Sequence, residues 1–392
     1  MFRRAVPSVV AAVLSLALVA PPAAAALRPT VLQQLLEAEH AAGMPGAYAA
    51  VRDGRDAWAG AAGVGDVETG SPARPWFRHR IGSITKTFVA TTVLQLAGER
   101  RVRLDAPVGR YLPRLGIPAG VTVRMLLNHT SGLGNYTTAI ITGEGDLERL
   151  RRTTYTPREL VALGLRLPPT GAPGAGWSYS NTNYIVLGLL IERVTGHRYD
   201  AEVSRRILRP LGLRSTSFPG VDPYLRGPHS KAYVRWSDGS LRDFSVMNMS
   251  WGWAAGEMIS TMDDLNRFFR ALLSGRLLSP ALLRQMETTV PFDPGAPEAG
   301  GYGLGLYWLA VPCGRAWGHD GGVIGQITVS LHSADGRRQA SLGENLITDT
   351  PGGIAAARAA FLTEALCGPG TVARTAATVP VLRTVDVMPG TG

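Results

Sequence analysis

Lysine is almost absent from this chain of 392 residues. Lysine and arginine together number 40, yet the only lysines are Lys86 and Lys231. Arginine does not deprotonate in proteins, whereas the compact amine of lysine titrates. Each lysine that the chain retains is therefore informative about chemistry.

Long hydrophobic runs are missing from the body of the chain, where none approaches the ~18 apolar residues of a membrane span. At the N-terminus, Arg3 and Arg4 precede an apolar stretch over Val9–Ala20, and small residues follow at Ala23–Ala26. This pattern predicts a secretory signal peptide over residues 1–26, with a retained membrane anchor as the alternative. We therefore expect a secreted or cell-envelope protein, in contact with the membrane only if the signal is uncleaved.

Cysteine is also scarce, with Cys313 and Cys367 as the two examples. Export to an oxidising compartment permits a disulfide, and two free thiols are the alternative. Both cysteines flank a predicted strand-and-helix region near the C-terminus. We therefore expect a bridge between them.

Charged residues make up only 18% of the chain, although its formal net charge is +10. The positive charges are scattered singly among acids, without a basic run or an interleaved aromatic patch, which argues against a nucleic-acid partner. The basic balance suits a cell envelope rich in anionic polymers. His, Glu and Cys spacings typical of zinc sites are lacking, so no metal or cofactor is expected. The lack of a Gly-x-Ser-x-Gly segment argues against an α/β-hydrolase.

Strand patterns occur at both ends of the chain and helical patterns in the middle. Residues 83–244 carry mainly helical patterns broken by proline and glycine. The economical arrangement is an α+β fold: one antiparallel sheet from residues 27–82 and 245–367, flanked by helices, with residues 83–244 as an inserted helical subdomain. Residues 368–392 lack periodicity and are predicted to be a flexible tail. The predicted strands are 47–51, 57–64, 77–81, 302–309, 325–331 and 340–346.

Lys86 closes the segment Gly-Ser-Ile-Thr-Lys, where a strand pattern changes to a helical one. The hydroxyl of Ser83 is a poor nucleophile without a base. Lys86 lies one helical turn further on the same face, within reach of that hydroxyl. The N-terminal end of a helix also favours a developing anion. Taken alone, the spacing equally fits a helix-capping serine followed by an exposed lysine.

Two later segments carry polar groups suited to the same chemistry. Tyr179 and Asn181 follow a loop rich in glycine and proline; the phenol can shuttle a proton, and the amide can orient the lysine or hold a substrate amide. His319 lies just ahead of a predicted strand, in a segment whose glycines let the backbone approach a ligand closely. There the N–H of Gly322 is a candidate partner for the N–H of Ser83 in an oxyanion hole. Taken singly, Tyr179 also fits a half-buried aromatic residue, Asn181 a helix cap, and His319 a histidine in a turn.

The three motifs in this order resemble those of the penicillin-binding protein and β-lactamase superfamily: Ser-x-x-Lys, then Tyr-x-Asn, then His-x-Gly. The resemblance covers nearly all of residues 30–367. The flanking sequences are similar to those of class C β-lactamases and actinobacterial D-alanyl-D-alanine carboxypeptidases at Arg80–Phe88, Leu126–Leu133, Tyr179–Tyr184 and Ala255–Thr261.

The histidine in the third motif resembles the carboxypeptidase and esterase members more than the β-lactamases. The resemblance implies that Ser83 is acylated and that Lys86 and Tyr179 share the proton transfers. It also supports the cysteine bridge. The expected activity is that of a D-alanyl-D-alanine carboxypeptidase on cell-wall peptides, with peptidoglycan as the partner. The substrate-binding residues that it implies are Asn181, His319, Gly321 and Gly322.

Two departures from the family pattern leave the substrate open. Asp320 occupies the middle of the third motif, where threonine is common in the carboxypeptidases and where an acid would repel a substrate carboxylate. The segment Tyr307–Leu309 lacks the arginine expected to bind a terminal carboxylate, and Arg315 is the candidate substitute. The alternatives are an esterase, a β-lactamase, or a penicillin- or peptide-binding protein that turns over poorly, with a small peptide, ester or β-lactam as ligand.

The segment His-Thr-Ser-Gly also contains residue types used in catalysis. It follows a short predicted helix over residues 123–128, a position typical of a capped turn. We expect His129 and Ser131 to shape the wall of the cleft rather than to react.

Overall fold

The computed structural model describes residues 26–347 and 353–369. The predicted signal peptide, apart from residue 26, and the predicted tail beyond residue 369 lie outside the described residues. Within the described ranges, no helix is both long and apolar enough to cross a membrane.

The described residues form helices and strands, with α2 to α9 in succession between β3 and β4. The helices are α1 (Pro29–Ala41), α2 (Thr85–Gly98), α3 (Val123–Leu127), α4 (Thr137–Ile140), α5 (Glu144–Leu150), α6 (Pro157–Arg166), α7 (Asn181–Thr195), α8 (Tyr199–Val203), α9 (Arg209–Leu211), α10 (Trp253–Gly256), α11 (Met262–Leu273), α12 (Pro280–Met286) and α13 (Gly353–Cys367). The strands are β1 (Gly46–Asp53), β2 (Asp56–Gly63), β3 (His79–Arg80), β4 (Tyr233–Arg235), β5 (Leu241–Asp243), β6 (Ile259–Ser260), β7 (Val290–Pro291), β8 (Gly300–Tyr302), β9 (Tyr307–Val311), β10 (Gly314–Val323), β11 (Gln326–Ser333), β12 (Arg338–Glu344) and β13 (Leu346–Ile347).

Eight strands form one sheet in the order β2-β1-β12-β11-β10-β9-β8-β7, and every neighbouring pair is antiparallel. Strand β1 pairs along its length with β12, from Ala47 opposite Glu344 to Asp53 opposite Arg338. Residues from both ends of the described chain therefore build a single sheet. The predicted α+β fold, with an antiparallel sheet flanked by helices, is confirmed.

Helices cover both faces of the sheet because its strands carry apolar side chains on each side. On one face, Leu36 of α1 and Phe361 of α13 lie in a cluster with Val329 and Leu342 of the sheet. On the other face, α2 and α11 belong to a larger cluster, in which the ring of Phe88 stacks on that of Phe268 at 3.6 Å between centroids. Burying apolar surface on both faces is the main stabilisation available to such a layered fold.

Residues 83–244 hold helices α2 to α9 and also the short strands β4 and β5, which pair with β13 in a small separate sheet. Two local signals act as their sequence predicts. Thr122 caps α3, since its side chain accepts a hydrogen bond from the N–H of Met125. Helix α7 ends at Gly196, whose φ of +77° is the left-handed cap that glycine adopts without strain.

Two strand predictions are wrong in detail, and one long strand was not predicted. Of residues 77–81, only β3 is extended, and it pairs with β6 outside the main sheet. Residues 302–309 are divided into β8 and β9 by a turn at Gly305, with φ +75°. Residues 314–323, which the sequence pattern places ahead of the predicted strand 325–331 and not in a strand, form the ten-residue strand β10. Glycine and aspartate are poor strand formers, so pairing with β9 and β11 overrides the local preference there.

Cys313 and Cys367 form the expected disulfide, with their Cα atoms 5.4 Å apart. Cys313 lies in the turn between β9 and β10, and Cys367 is the last residue of α13. The bridge therefore ties the end of α13 to the strand that carries the third motif.

Candidate active site

Ser83 lies in a single 3₁₀ turn, Gly82–Ile84, directly before α2. This turn approaches β10 so closely that side chains are excluded on both sides. A Cβ atom on Gly82 would lie 2.7 Å from the backbone nitrogen of Gly322, and one on Gly321 would lie 2.1 Å from the carbonyl oxygen of Ile81. The glycines of the first and third motifs thus permit the contact that brings Ser83 beside β10.

Lys86 lies one turn further along and points back at the serine. Its Nζ donates hydrogen bonds to Ser83 Oγ at 2.8 Å and to the carbonyl oxygen of Ala255 at 2.6 Å. The side chain is fully buried. Burial lowers the pKa of the Lys86 amine well below its usual value, and the charge of Asp320 opposes this by raising it. Lowering the pKa increases the fraction of neutral amine, which is the form that can accept a proton.

Tyr179 approaches the serine from the other side. Its hydroxyl donates a hydrogen bond of 2.7 Å to Ser83 Oγ, and Lys86 Nζ lies 5.0 Å from the centre of its ring. The structure therefore brings the three predicted catalytic residues into one hydrogen-bonded group. The geometry satisfies the usual requirement that a nucleophile lie within hydrogen-bond reach of a base.

Ser83 opens into a narrow cleft between its own turn, α4, α7, α10 and β10. Strand β10 runs beyond β9 here, because the last pair joins Gly318 to Tyr307. Gly322 lies on this extension, next to the turn of Ser83. The backbone N–H groups of Ser83 and Gly322 are therefore the candidates for stabilising a developing oxyanion. All the described residues that line the cleft are uncharged: Ser83, Tyr136, Thr137, Asn181, Trp251, Gly252, Ala255, Gly256, Gly322 and Val323.

Asn181, predicted to bind substrate, lies in this lining at the start of α7. Its backbone N–H donates to Asn135 Oδ1 at 3.0 Å, and its Nδ2 donates to Thr137 Oγ1 at 3.3 Å. The first bond holds the backbone at the start of α7, and the second ties the side chain to α4 at the cleft.

His319 does not line the cleft, although it was predicted to bind substrate. It is fully buried, and both ring nitrogens are engaged: Nε2 accepts from the hydroxyl of Tyr302 at 2.7 Å, and Nδ1 donates to the carbonyl oxygen of Asp320. Burial lowers the pKa of His319 to about 3, so the ring is neutral at pH 7. In this structure it presents neither charge nor a free N–H to a carboxylate.

Asp320, the departure in the third motif, and Arg315, the candidate substitute for the missing arginine, are also away from the cleft. Asp320 is buried, and the hydroxyl of Tyr307 donates to its Oδ1 at 3.1 Å. Arg315 stacks on Trp308, with 4.0 Å between the guanidinium carbon and the ring centre, and lines a separate cavity of about 260 Å³ beside Cys313. Arg315 therefore does not replace the expected carboxylate-binding arginine.

His129 was expected only to shape the cleft wall, but it lies against Tyr179, with ring centroids 4.3 Å apart. It is fully buried and has a φ of +60°, which is uncommon outside glycine. Ser131 donates to Asn183 Oδ1 at 2.6 Å and so belongs to the support of the turn. No sequence pattern short of the family resemblance links residues 129 and 179, which are 50 positions apart.

Across residues 26–347 and 353–369, no group of three or more His, Cys, Asp or Glu side chains is arranged to hold a metal ion.

A buried lysine and a tyrosine on one serine hydroxyl, at the edge of an antiparallel sheet, define a serine hydrolase of the β-lactamase and penicillin-binding protein fold. The family model described as Beta-lactamase matches residues 32–333. The chain belongs to this Beta-lactamase family.

Solved structures and curated proteins agree with this assignment. A D-stereospecific amidohydrolase from Streptomyces sp. is 43% identical, with a TM-score of 0.76 over 81% of this chain and 94% of that one. D-amino acid amidase from Ochrobactrum anthropi SV3 is 26% identical, with a TM-score of 0.74 over 86% and 94%. D-aminopeptidase from Brucella anthropi is 28% identical over 76% of this chain and 55% of its own length. The chain spans about half the length of the first curated relatives that it matches.

Proposed function

We propose that the protein is a serine amidohydrolase that cleaves amides of D-amino acids, or short peptides that begin with one, through an acyl-enzyme on Ser83. The observation that carries this proposal is the uncharged lining of the cleft around the serine. A neutral amide leaving group needs no cation to bind it. The names of the D-stereospecific amidohydrolase and the D-amino acid amidase that resemble this chain support the same substrate class.

In the proposed reaction, Ser83 Oγ attacks the amide carbon while its proton passes to Lys86 or Tyr179, both within 2.8 Å. The N–H groups of Ser83 and Gly322 stabilise the oxyanion. The proton then moves to the leaving nitrogen as the carbon–nitrogen bond breaks. Water attacks the ester, and the same groups return the proton to Ser83 Oγ.

The D-alanyl-D-alanine carboxypeptidase predicted from the motifs is the second candidate. It is favoured by the His-x-Gly motif and by the similarity to penicillin-binding proteins of Bacillus subtilis. It requires the terminal carboxylate of the substrate to be bound. His319 is neutral with both nitrogens engaged, and Arg315 lies in another cavity. Together with this second candidate, we propose that the protein is exported and that it acts on peptidoglycan.

The deciding experiment compares one reaction on matched substrates. The full chain and Ser83→Ala are incubated with D-phenylalanine amide, its L-enantiomer, an N-acyl-D-alanyl-D-alanine peptide, a p-nitrophenyl ester and a chromogenic cephalosporin. We expect Ser83-dependent release of ammonia from the D-amide to exceed the other amide and peptide rates. Preferential release of D-alanine would instead establish the carboxypeptidase. No Ser83-dependent turnover, with covalent labelling by penicillin, would establish a binding protein.

A further inference from the structure

His129 holds the main chain on both sides of Tyr179. Its carbonyl oxygen accepts from the N–H of Ser178 at 2.8 Å, and its Nδ1 accepts from the N–H of Ser180 at 3.2 Å. The imidazole lies against the phenol ring between them, tilted by 34°. One residue thus contacts the backbone before Tyr179, the backbone after it and the side chain itself.

The hydrogen bonds of His129 determine its tautomer. A backbone N–H can only donate, so Nδ1 is an acceptor toward Ser180. The hydrogen bonds of Asn183 support the same assignment. Its Oδ1 accepts from Ser131 at 2.6 Å, so its Nδ2 is the atom that donates to His129 Nδ1 at 3.1 Å. The neutral ring therefore carries its proton on Nε2. Within the described part of the chain, this buried Nε2 has no hydrogen-bond partner.

The surroundings of the ring are aromatic and basic. The Tyr302 ring meets it edge to face at 4.8 Å and the Tyr184 ring lies 5.3 Å away, while Lys86 and His319 are the titratable bases nearby. Burial lowers the pKa of His129 well below its usual value, and Lys86 lowers it further. A neutral imidazole thus packs against the rings of Tyr179 and Tyr184, and Lys86 Nζ lies 5.0 Å and 5.6 Å from the centres of the same two rings.

We propose that His129 is a positioning residue for Tyr179: its imidazole, fixed as the Nε2–H tautomer, holds the phenol against Ser83 and keeps the Lys86 amine dry. The inference rests on the proposed roles of Ser83 and Tyr179. It explains the left-handed φ of +60°, since this conformation directs both the carbonyl oxygen and the ring of His129 toward residues 178–180. Strained backbone of this kind persists where the surrounding contacts hold it.

Two variants separate the ring from the backbone support. His129→Asn keeps an acceptor near Nδ1, and asparagine tolerates positive φ, but the ring is lost. His129→Gly suits the backbone and leaves a ring-sized space that added imidazole can fill. The matched controls are His332→Asn and His332→Gly, because His332 is another buried neutral histidine, stacked on Phe269 at 4.6 Å and outside the cleft.

The readout is the rate at which a fluorophosphonate phosphonylates Ser83, measured from pH 5 to 10, which requires no knowledge of the natural substrate. In this reaction the Oγ–phosphorus bond forms and fluoride leaves. We expect both His129 variants to react about 10- to 100-fold more slowly at pH 7, as misplaced catalytic groups do. We also expect the rising limb of the profile to move to higher pH, because water that reaches Lys86 raises the pKa of its amine. Imidazole is expected to restore His129→Gly.

Several results would overturn this inference. They are an unchanged pH midpoint in both His129 variants, an equal slowing in the His332 controls, or failure of both His129 variants to fold, which would assign His129 a purely structural role. Thermal unfolding of all four variants identifies the last case. If the wild-type chain is not phosphonylated at Ser83, the proposed function and this inference are both overturned. If the His129 variants are phosphonylated with the pH profile of the wild type, only the inference is overturned.

Discussion

The buried carboxylate of Asp320 acts on Lys86 although it does not line the cleft. Tyr307 holds Asp320 with a hydrogen bond of 3.1 Å, and the charge of Asp320 raises the pKa of the Lys86 amine against the lowering caused by burial. The acid in the third motif therefore raises the pKa of an amine that we propose takes part in the proton transfers, while its own side chain is buried.

Replacing Asp320 by asparagine is expected to move the activity profile toward lower pH. Asparagine keeps an oxygen for Tyr307 but removes the negative charge, so the pKa of the Lys86 amine falls further. The check is the midpoint of the rising limb of kcat/KM for a p-nitrophenyl ester. Asp335→Asn, in the turn between β11 and β12, is the control and should leave the midpoint in place. A midpoint that stays fixed or moves upward in Asp320→Asn would contradict the expected coupling.

The same burial predicts the outcome of Asp320→Thr, which restores the residue common in the carboxypeptidases. Because the Asp320 side chain is buried, removing its charge relieves no repulsion at the cleft surface. We expect no gain in D-alanine release from an acyl-D-alanyl-D-alanine peptide, measured against the wild-type chain. A clear gain would show that substrate reaches Asp320.

Replacing Lys86 by arginine is expected to lower kcat by about 10²- to 10⁴-fold, the range contributed by general acid–base catalysis. Arginine retains charge and hydrogen bonding but does not release its proton. The control is Lys231→Arg, which changes the other lysine of the chain. Lys231 is partly exposed and paired with Asp243 at 2.8 Å. Equal activity in Lys86→Arg and Lys231→Arg would exclude a proton-transfer role for Lys86.

Replacing Glu39 by glutamine is expected to stabilise the fold, and more so at higher pH. Glu39 is fully buried beside the Glu344–Arg358 ion pair, and its protonated carboxyl group is within hydrogen-bonding reach of the Glu344 carboxylate. Burial and the charge of Glu344 raise the pKa of Glu39 well above its usual value. Above the unfolded pKa of about 4.5, the folded state holds a proton that the unfolded state has lost, so stability falls as pH rises through this window.

Thermal unfolding at pH 5 and pH 8 measures this effect. Glu39→Gln should unfold about 2 °C or more above the wild type at pH 8, with a smaller difference at pH 5. Glu37→Gln on the exposed side of α1 is the control and should change neither value. A destabilisation of Glu39→Gln that is equal at both pH values would show that the carboxyl group is needed for packing.

Adding one methyl group at Gly321 is expected to remove most of the activity. The new Cβ would lie 2.1 Å from the carbonyl oxygen of Ile81 and 2.7 Å from the nitrogen of Ser83, so the turn must shift away from β10. A shift of about 1 Å at a catalytic group costs on the order of 100-fold in rate. Gly176→Ala is the control, because a Cβ there meets nothing within 4 Å. Activity assays of both variants on an ester substrate decide the matter.

The sequence predicted the parts of the site that depend on local order along the chain. Ser83 and Lys86 share one helical turn, and Tyr179 and Asn181 stand at the start of a helix that its own pattern predicts. The sequence could not place His319, because its burial depends on Tyr302, which lies on a different strand. It also missed the contact of His129 with Tyr179 and the extended form of β10. In each case long-range packing overrides local preference.

The pairing of β1 with β12 has a consequence for how the protein forms. Residues 46–53 are synthesised early, yet the strand that completes them spans residues 338–344. The N-terminal hairpin therefore has no neighbour for its inner edge until nearly the whole described chain has been made. Contacts that are so distant along the chain are formed slowly. The eight-stranded sheet, in which β10 lies beside Ser83, can therefore be completed only after residues 338–344 have been made.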